Sequence, residues 1–252
     1  MNEPAPATPG RLHCPAAFVT TRWSVVIQAG GKSTPDSFKA LESLCQAYWY
    51  PLYAFVRASG NSADDAVDLT QEFFARLLAR KWLAEADRSR GRFRTFLLAA
   101  MKHFLANEWH RAQREKRGGG KELIALDALE AEERFALEPR DNLTPDALYE
   151  RDWALTMLQR AQQRLADESA ATGGAEKYEA LAPALTGDRT EATYETLATS
   201  FDTTLSTVKS WVLRMRRRFR DILREEVTET LSPGEDVDDE LRRLLVVVGG
   251  AV

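Results

Sequence analysis

The sequence predicts an all-α protein of two small helical domains joined by a linker. Three observations carry this. Almost every apolar periodicity in the 252 residues is helical. Helix-start signals recur as Thr-Pro pairs at Thr34-Pro35 and Thr144-Pro145. No alternation of apolar and polar residues runs long enough to build a sheet.

The elements follow in order. The first residues, 1–17, read as a disordered tail, lacking the basic and apolar regions of a secretory signal. After Thr34-Pro35, Phe38, Leu41, Leu44, Cys45 and Tyr48 share a helix face. Pro51 is expected to kink or divide that helix, leaving residues 52–58 as a second piece. Ser62 can cap a helix to about Arg80, with Val67, Phe74 and Leu78 inward and Phe73 and Leu77 beside them. The Arg- and Gly-rich stretch DRSRGR is a loop. A long helix then carries Phe93, Leu97, Ala100 and Phe104. Gly118-Gly119-Gly120 marks a boundary.

Residues 121–142 are acidic and mixed, a partly helical linker. Beyond Thr144-Pro145, Leu148, Leu155, Leu158 and Leu165 form an apolar stripe that Gly173-Gly174 interrupts. Helical pieces follow at about 176–185, 193–200 and 205–226, and an amphipathic piece at 238–248. The domain limits are therefore 18–117 and 144–227, with a linker at 118–143 and a C-terminal extension at 228–252.

Charge narrows the function. The formal net charge is −4, yet basic residues gather in two blocks. One runs from Arg88 to Lys121, opposed only by Glu108 and Glu115. The other runs from Lys209 to Arg224, opposed only by Asp221. Segregation of this kind suggests two basic faces for a polyanion. No apolar run approaches the roughly 18 residues of a membrane span. Cys14 and Cys45 stand in no metal or redox spacing, so a reduced cytoplasm is expected and no membrane partner. His103 and His110 could share a face near Glu108, but lack a third ligand at a metal spacing, and no phosphate loop, nucleophile elbow or dinucleotide turn occurs. Neither an enzyme nor a cofactor or metal is expected.

The strongest local pattern is TYETLATSFDTTLSTVKSWVLRMRRRFR. Leu197 and Ala198 mark the buried face of a first helix, residues 201–203 a polar turn, and Val208, Val212 and Met215 the buried stripe of a second. Thr207, Lys209, Ser210, Trp211, Arg214, Arg217 and Arg218 lie on its other faces. This is the layout of a helix-turn-helix, whose second helix enters the major groove. A stand-alone helix-turn-helix regulator, binding a palindrome as a dimer, is the alternative reading.

Two further strings carry a family resemblance. DAVDLTQEFFARLL, with Asp68, Leu69, Gln71, Glu72, Phe73 and Phe74 in register, resembles region 2.2 of the extracytoplasmic-function (ECF, group IV) sigma factors of the sigma-70 family. GRFRTFLLAAMKHFLANEWHRAQREKR resembles their regions 2.3 and 2.4, and the helix-turn-helix their region 4.2. The resemblance implies a sigma region 2 bundle and a region 4 helix-turn-helix, a transcription initiation factor that binds polymerase core, reads the −10 and −35 elements and promotes melting.

It implies that Asp64, Asp68, Gln71, Glu72 and Phe73 meet the core polymerase. Lys102, His103, Asn107, Trp109, Arg111 and Arg114 would meet the −10 element, and residues Thr207 to Arg218 named above the −35 element. His103 stands where the family often has an asparagine that contacts a flipped base. The implied partners are the β′ coiled coil and β flap of the polymerase, promoter DNA and, in this family, an anti-sigma factor. A long linker, an altered opening of region 4 and the C-terminal extension are similar to those of a divergent subgroup.

Overall fold

In a computed structural model the described residues are 35–79, 92–114, 125–137, 143–187, 191–231 and 234–249. They form ten helices and no strand: α1 (Pro35–Ala58), α2 (Ala63–Ala79), α3 (Phe93–Arg114), α4 (Ala125–Leu137), α5 (Pro145–Ala171), α6 (Ala175–Leu181), α7 (Pro183–Thr186), α8 (Glu191–Ser200), α9 (Leu205–Thr228) and α10 (Val237–Gly249). The protein is all-α, as its periodicities predict. No described helix is long and apolar enough to cross a membrane. The expected tail, the Thr34 cap, most of the DRSRGR loop and the triple glycine lie outside the described residues.

Helix α1 is the central column. Between Ala47 and Val56 it buries Ala47, Tyr48, Tyr50, Leu52, Tyr53, Ala54, Phe55 and Val56. A helix buried on nearly every side sits at the middle of a bundle rather than on its surface. This explains the first departure from expectation: Pro51 does not divide α1, which runs unbroken through it. Proline costs about 3 kcal/mol inside a helix. Burial of two or three large side chains on either side outweighs that.

Helix α2 begins where Ser62 accepts a hydrogen bond from the Asp65 backbone N–H at 3.1 Å. Its inward face is set by Ala66, Thr70, Phe73 and Leu77 with Phe74, while Val67 is only half-buried. The stripe is thus rotated from the one centred on Val67 and Phe74. Phe73 meets Phe104 of α3 edge-on, with ring centroids 5.8 Å apart. Helix α3 buries Phe93, Leu97, Met101 and Phe104.

The acidic segment expected as a partly helical linker contains α4, which docks on α1 through Ala131 and Phe135. The Arg57 guanidinium grips Glu132 at 2.7 and 2.9 Å and lies 4.9 Å from the Phe135 ring centroid. Tyr53 donates a short hydrogen bond to the same carboxylate. Arg134 covers the Tyr50 ring at 3.6 Å.

Helix α5 starts at the Thr144 cap, whose hydroxyl accepts from the Ala147 N–H at 3.2 Å. It spans 27 residues and packs against α1, α9 and α10. Of the predicted leucine stripe Leu148 and Leu165 are buried, whereas Leu155 is half-buried. Trp153, Tyr149 and Met157 fill the interior instead. Gly173, at φ +74°, ends the helix by adopting the left-handed conformation that glycine reaches without strain.

One core therefore runs from α1 through α5 to Ile222, Leu223, Val227 and Leu231 beyond the middle of α9, and on to Leu244 of α10. A second, small core joins Leu181, Ala184, Ala198, Val208 and Val212. Helix α9 passes through both, and Met215 touches each.

The C-terminal extension is held by charge inside this frame. Glu240, fully buried, pairs with Arg92 at 2.9 Å and with Arg94. Arg94 also pairs with Glu150 at 2.8 Å and lies 4.2 Å from the Trp153 ring centroid. These two arginines belong to the basic block that the sequence presents as one face for a polyanion. In the fold they are turned toward carboxylates of α5 and the C-terminal segment.

Candidate nucleic-acid interface

Three helices place the sequence-predicted residues. On α2, Asp64, Asp68 and Glu72 stand four residues apart and are exposed, with Gln71 half-buried at their side. The four-residue spacing puts all three carboxylates on one edge. Glu72 accepts from Arg76 at 2.7 Å, and the same guanidinium reaches Glu108 of α3 at 2.7 Å while lying 5.1 Å from the Phe104 ring. Arg76 thereby fastens the acidic edge to α3, a role its position four residues after Glu72 hints at. Phe73, grouped with the polymerase-contacting residues, is completely buried. Its ring supports the helix from beneath and offers no surface.

On α3 the exposed side carries Lys102, His103, Asn107, Trp109 and His110, opposite the Phe93–Phe104 stripe. Trp109 is 61% exposed, unusual for the largest apolar side chain, and meets His110 edge-on at 5.3 Å. Lys102 pairs with Asp146 at 2.5 Å. Arg111 and Arg114 occupy the last turn of α3; their side chains lie outside the described residues.

Helices α8 and α9 form the expected helix-turn-helix. Ala198 is buried where the two cross. The turn closes with the Thr203 N–H donating to the Ala198 carbonyl at 2.8 Å, and Asp202 adopts φ +46°. Thr204 caps α9 by accepting from the Thr207 N–H at 3.2 Å, and the Thr204 and Thr207 hydroxyls are 2.8 Å apart. Thr207 is thus occupied in the cap. Lys209, Ser210, Arg214 and Arg217 are exposed. Trp211 is half-buried, edge-on to Phe201 at 5.9 Å, with the Lys177 ammonium 4.0 Å from its ring centroid.

Arg218 departs from the others. It binds Glu168 of α5 in fork fashion, at 2.8 and 2.7 Å, and reaches Glu225 at 3.4 Å. The Arg218 guanidinium holds the Glu168 carboxyl below the usual carboxylate range. Arg216, which the sequence does not distinguish from its neighbours, donates to the Ala184 carbonyl at 2.9 and 2.7 Å and anchors α7. Two of the four arginines between 214 and 218, Arg216 and Arg218, therefore serve the fold.

No cluster of three His, Cys, Asp or Glu residues able to hold a metal ion occurs among the described residues. The arrangement offers an acidic helix edge on α2, an aromatic-basic surface on α3 and, on α9, a capped helix with exposed Lys209, Ser210, Arg214 and Arg217.

A model of the ECF sigma factor family matches residues 39–182, more than half of the chain. No curated protein and no solved structure matches it. The chain belongs to the ECF sigma factor family and is an RNA polymerase-binding transcription initiation factor. The match takes in α2 and α3 complete and ends just after α6, so α8 and α9 lie beyond it.

Proposed function

We propose that this factor engages polymerase core through the α2 edge of Asp64, Asp68, Gln71 and Glu72, melts and reads the −10 element with α3, and reads the −35 element with the first half of α9. The two surfaces fall within the segments 18–117 and 144–227 expected from the sequence as separate domains, segments that share one core through α1, α5 and the second half of α9. The observation that carries the reading is the outer side of α3. Trp109 stands exposed beside His103, Asn107 and Lys102 on a helix otherwise committed to the core. An exposed ring on a basic surface suits an unstacked base, since every base offers a face for stacking, worth about 1–3 kcal/mol. Arg111 and Arg114 would add phosphate contacts in the last turn of the same helix.

On α9, Lys209 and Ser210 lie within two turns of the Thr204 cap, where a helix entering the major groove brings side chains to base edges. The work is recognition and strand separation in the cytoplasm, with no covalent chemistry by the factor itself. Anti-sigma control would act by covering the α2 edge or α9.

Run-off transcription with purified bacterial core tests the whole reading, and permanganate footprinting tests the part assigned to α3. The expected result is promoter-specific transcript from the wild-type chain and a loss of melting in Trp109→Ala. Unchanged permanganate reactivity in Trp109→Ala, with an intact holoenzyme, would remove α3 from this role.

A further inference from the structure

Among the described residues the exposed large apolar side chains are Trp109, Leu137, Leu213, Leu245 and Val246. Leu137 ends α4, and Leu245 and Val246 lie near the end of α10. Trp109 and Leu213 alone stand on the helices assigned to promoter DNA, one on each. We propose that Leu213, 51% exposed, is a specificity residue of α9 that reads the C5 methyl group of one thymine in the −35 element. This inference rests on the assignment of α9 to that element.

Single exposed leucines are common on protein surfaces and by themselves mean little. The position of Leu213 is what points to a ligand. It follows Lys209 by four residues and Ser210 by three, and it precedes Arg217 by four, so these residues share one side of the helix. At 3.6 residues per turn, Ser206, Ser210, Leu213 and Arg217 fall within an arc of about 60°. All four are exposed, while Val208 and Val212 turn the other way into the small core. Leu213 belongs to neither core. It is an apolar group set among hydroxyls and cations on the outward side of a helix.

The major groove supplies one partner for such a group. Every base edge there presents hydrogen-bonding atoms, and thymine adds a methyl group beside its O4 acceptor. Leucine has no donor or acceptor to offer. Set against the methyl, it removes apolar surface from water on both sides. Set against another edge, it leaves a donor or acceptor unpaired, at a cost. Leu213 lies about 6 Å along the axis from Lys209, less than two base-pair steps. Its thymine therefore falls within two base pairs of the position that Lys209 reads.

The test uses holoenzyme assembled from purified core and the full-length chain. The probe is a duplex bearing the −35 sequence that wild-type holoenzyme selects from a randomised library. Each thymine of that sequence is replaced in turn by deoxyuridine, which keeps every hydrogen-bonding atom and lacks only the methyl. Affinity is read by fluorescence anisotropy for wild type, Leu213→Ala and Leu213→Met, with melting temperatures checked alongside.

At one thymine the replacement should weaken wild type about fourfold, the worth of one buried methyl group, and leave Leu213→Ala unchanged. Leu213→Met, which keeps an apolar side chain of similar reach, should retain the sensitivity. Equal losses in wild type and Leu213→Ala at every thymine, no thymine sensitive to the methyl, or a selected sequence without thymine overturns the inference, while selection of a −35 sequence leaves the assignment of α9 standing. Failure of wild-type holoenzyme to select any −35 sequence overturns that assignment, and the role of Leu213 with it.

Discussion

The carboxylate of Glu240 lies fully buried against the guanidinium of Arg94, 146 residues earlier in the chain. The C-terminal segment is thus tied to the first residues of α3. Arg92 shares the same carboxylate and Glu235 reinforces it at 3.1 Å. Removing it strands two arginines in a nearly closed environment.

Glu240→Ala should therefore destabilise the protein by about 3–5 kcal/mol at neutral pH, the usual consequence of deleting one partner of a buried pair. Urea unfolding followed by circular dichroism measures this. A loss below about 1 kcal/mol would mean that water reaches the site and the extension is only loosely attached.

Acid should act partly through Glu168. Its folded pKa is depressed by the hydrogen bond to Arg218, so the stability it adds is complete above the unfolded value and disappears as pH falls through the folded one. Arg218 stays charged throughout. The difference in urea midpoint between wild type and Glu168→Gln should be largest at neutral pH and shrink as pH falls below the ordinary carboxylate range and through the depressed folded value. A difference that stays unchanged down to the acid unfolding transition would contradict the pairing as the source.

The acidic edge of α2 makes a charge-reversal prediction. Asp68→Arg with Glu72→Arg should weaken binding to polymerase core at least about tenfold, because like charges across an interface cost several kcal/mol. Glu72 also holds Arg76, so the helix content and melting temperature of the variant are checked alongside. Normal co-purification with core would remove this edge from the polymerase contact.

Within α9 the residues should divide by position. Lys209→Ala or Ser210→Ala should change preference at one base pair of the −35 element, by about 1–3 kcal/mol. Arg217→Ala should weaken all sequences alike and lower the salt slope by about one unit. Holoenzyme binding to a randomised −35 library at several salt concentrations separates the two. A sequence-specific effect of Arg217 with none from Lys209 would reverse the orientation of the helix in the groove.

Much of this architecture is legible in the sequence because it rests on local rules. Ser62 and Thr144 start helices and Gly173 stops one, by hydrogen bonds and dihedral preferences that a few neighbouring residues decide. The helix-turn-helix is legible for the same reason: Val208 and Val212 lie one helical period apart on α9, and Ala198 is a small residue on the face of α8 that meets them. What escapes is decided by distant residues. Pro51 reads as a break because its cost is local, while the packing that overrides it comes from α2, α4 and α5.

Arg92 and Arg94 read as members of the basic block between Arg88 and Lys121, and Glu240 answers them from across the chain. Phe73 follows the family's pattern of an interface helix, yet the rotation of α2 that buries it is set by Phe104. Arg218 is indistinguishable in sequence from Arg217, and only the approach of α5 parts them.

The passage of α9 through both cores makes it a lever. Its far end is gripped at Ile222, Leu223 and Val227, while Lys209 and Ser210 lie about 12 to 18 residues away, roughly 20 Å along the axis. At that arm length a tilt of about 10° displaces the tip by about 3.5 Å, close to one base-pair step. Angular play at the grip becomes positional error at the tip. A small cavity deep in the core, such as that left by Ile222→Val, should cost only about 0.5–1.5 kcal/mol of stability. It should blur base discrimination at a site it never touches, because the fulcrum, and with it the aim, has loosened.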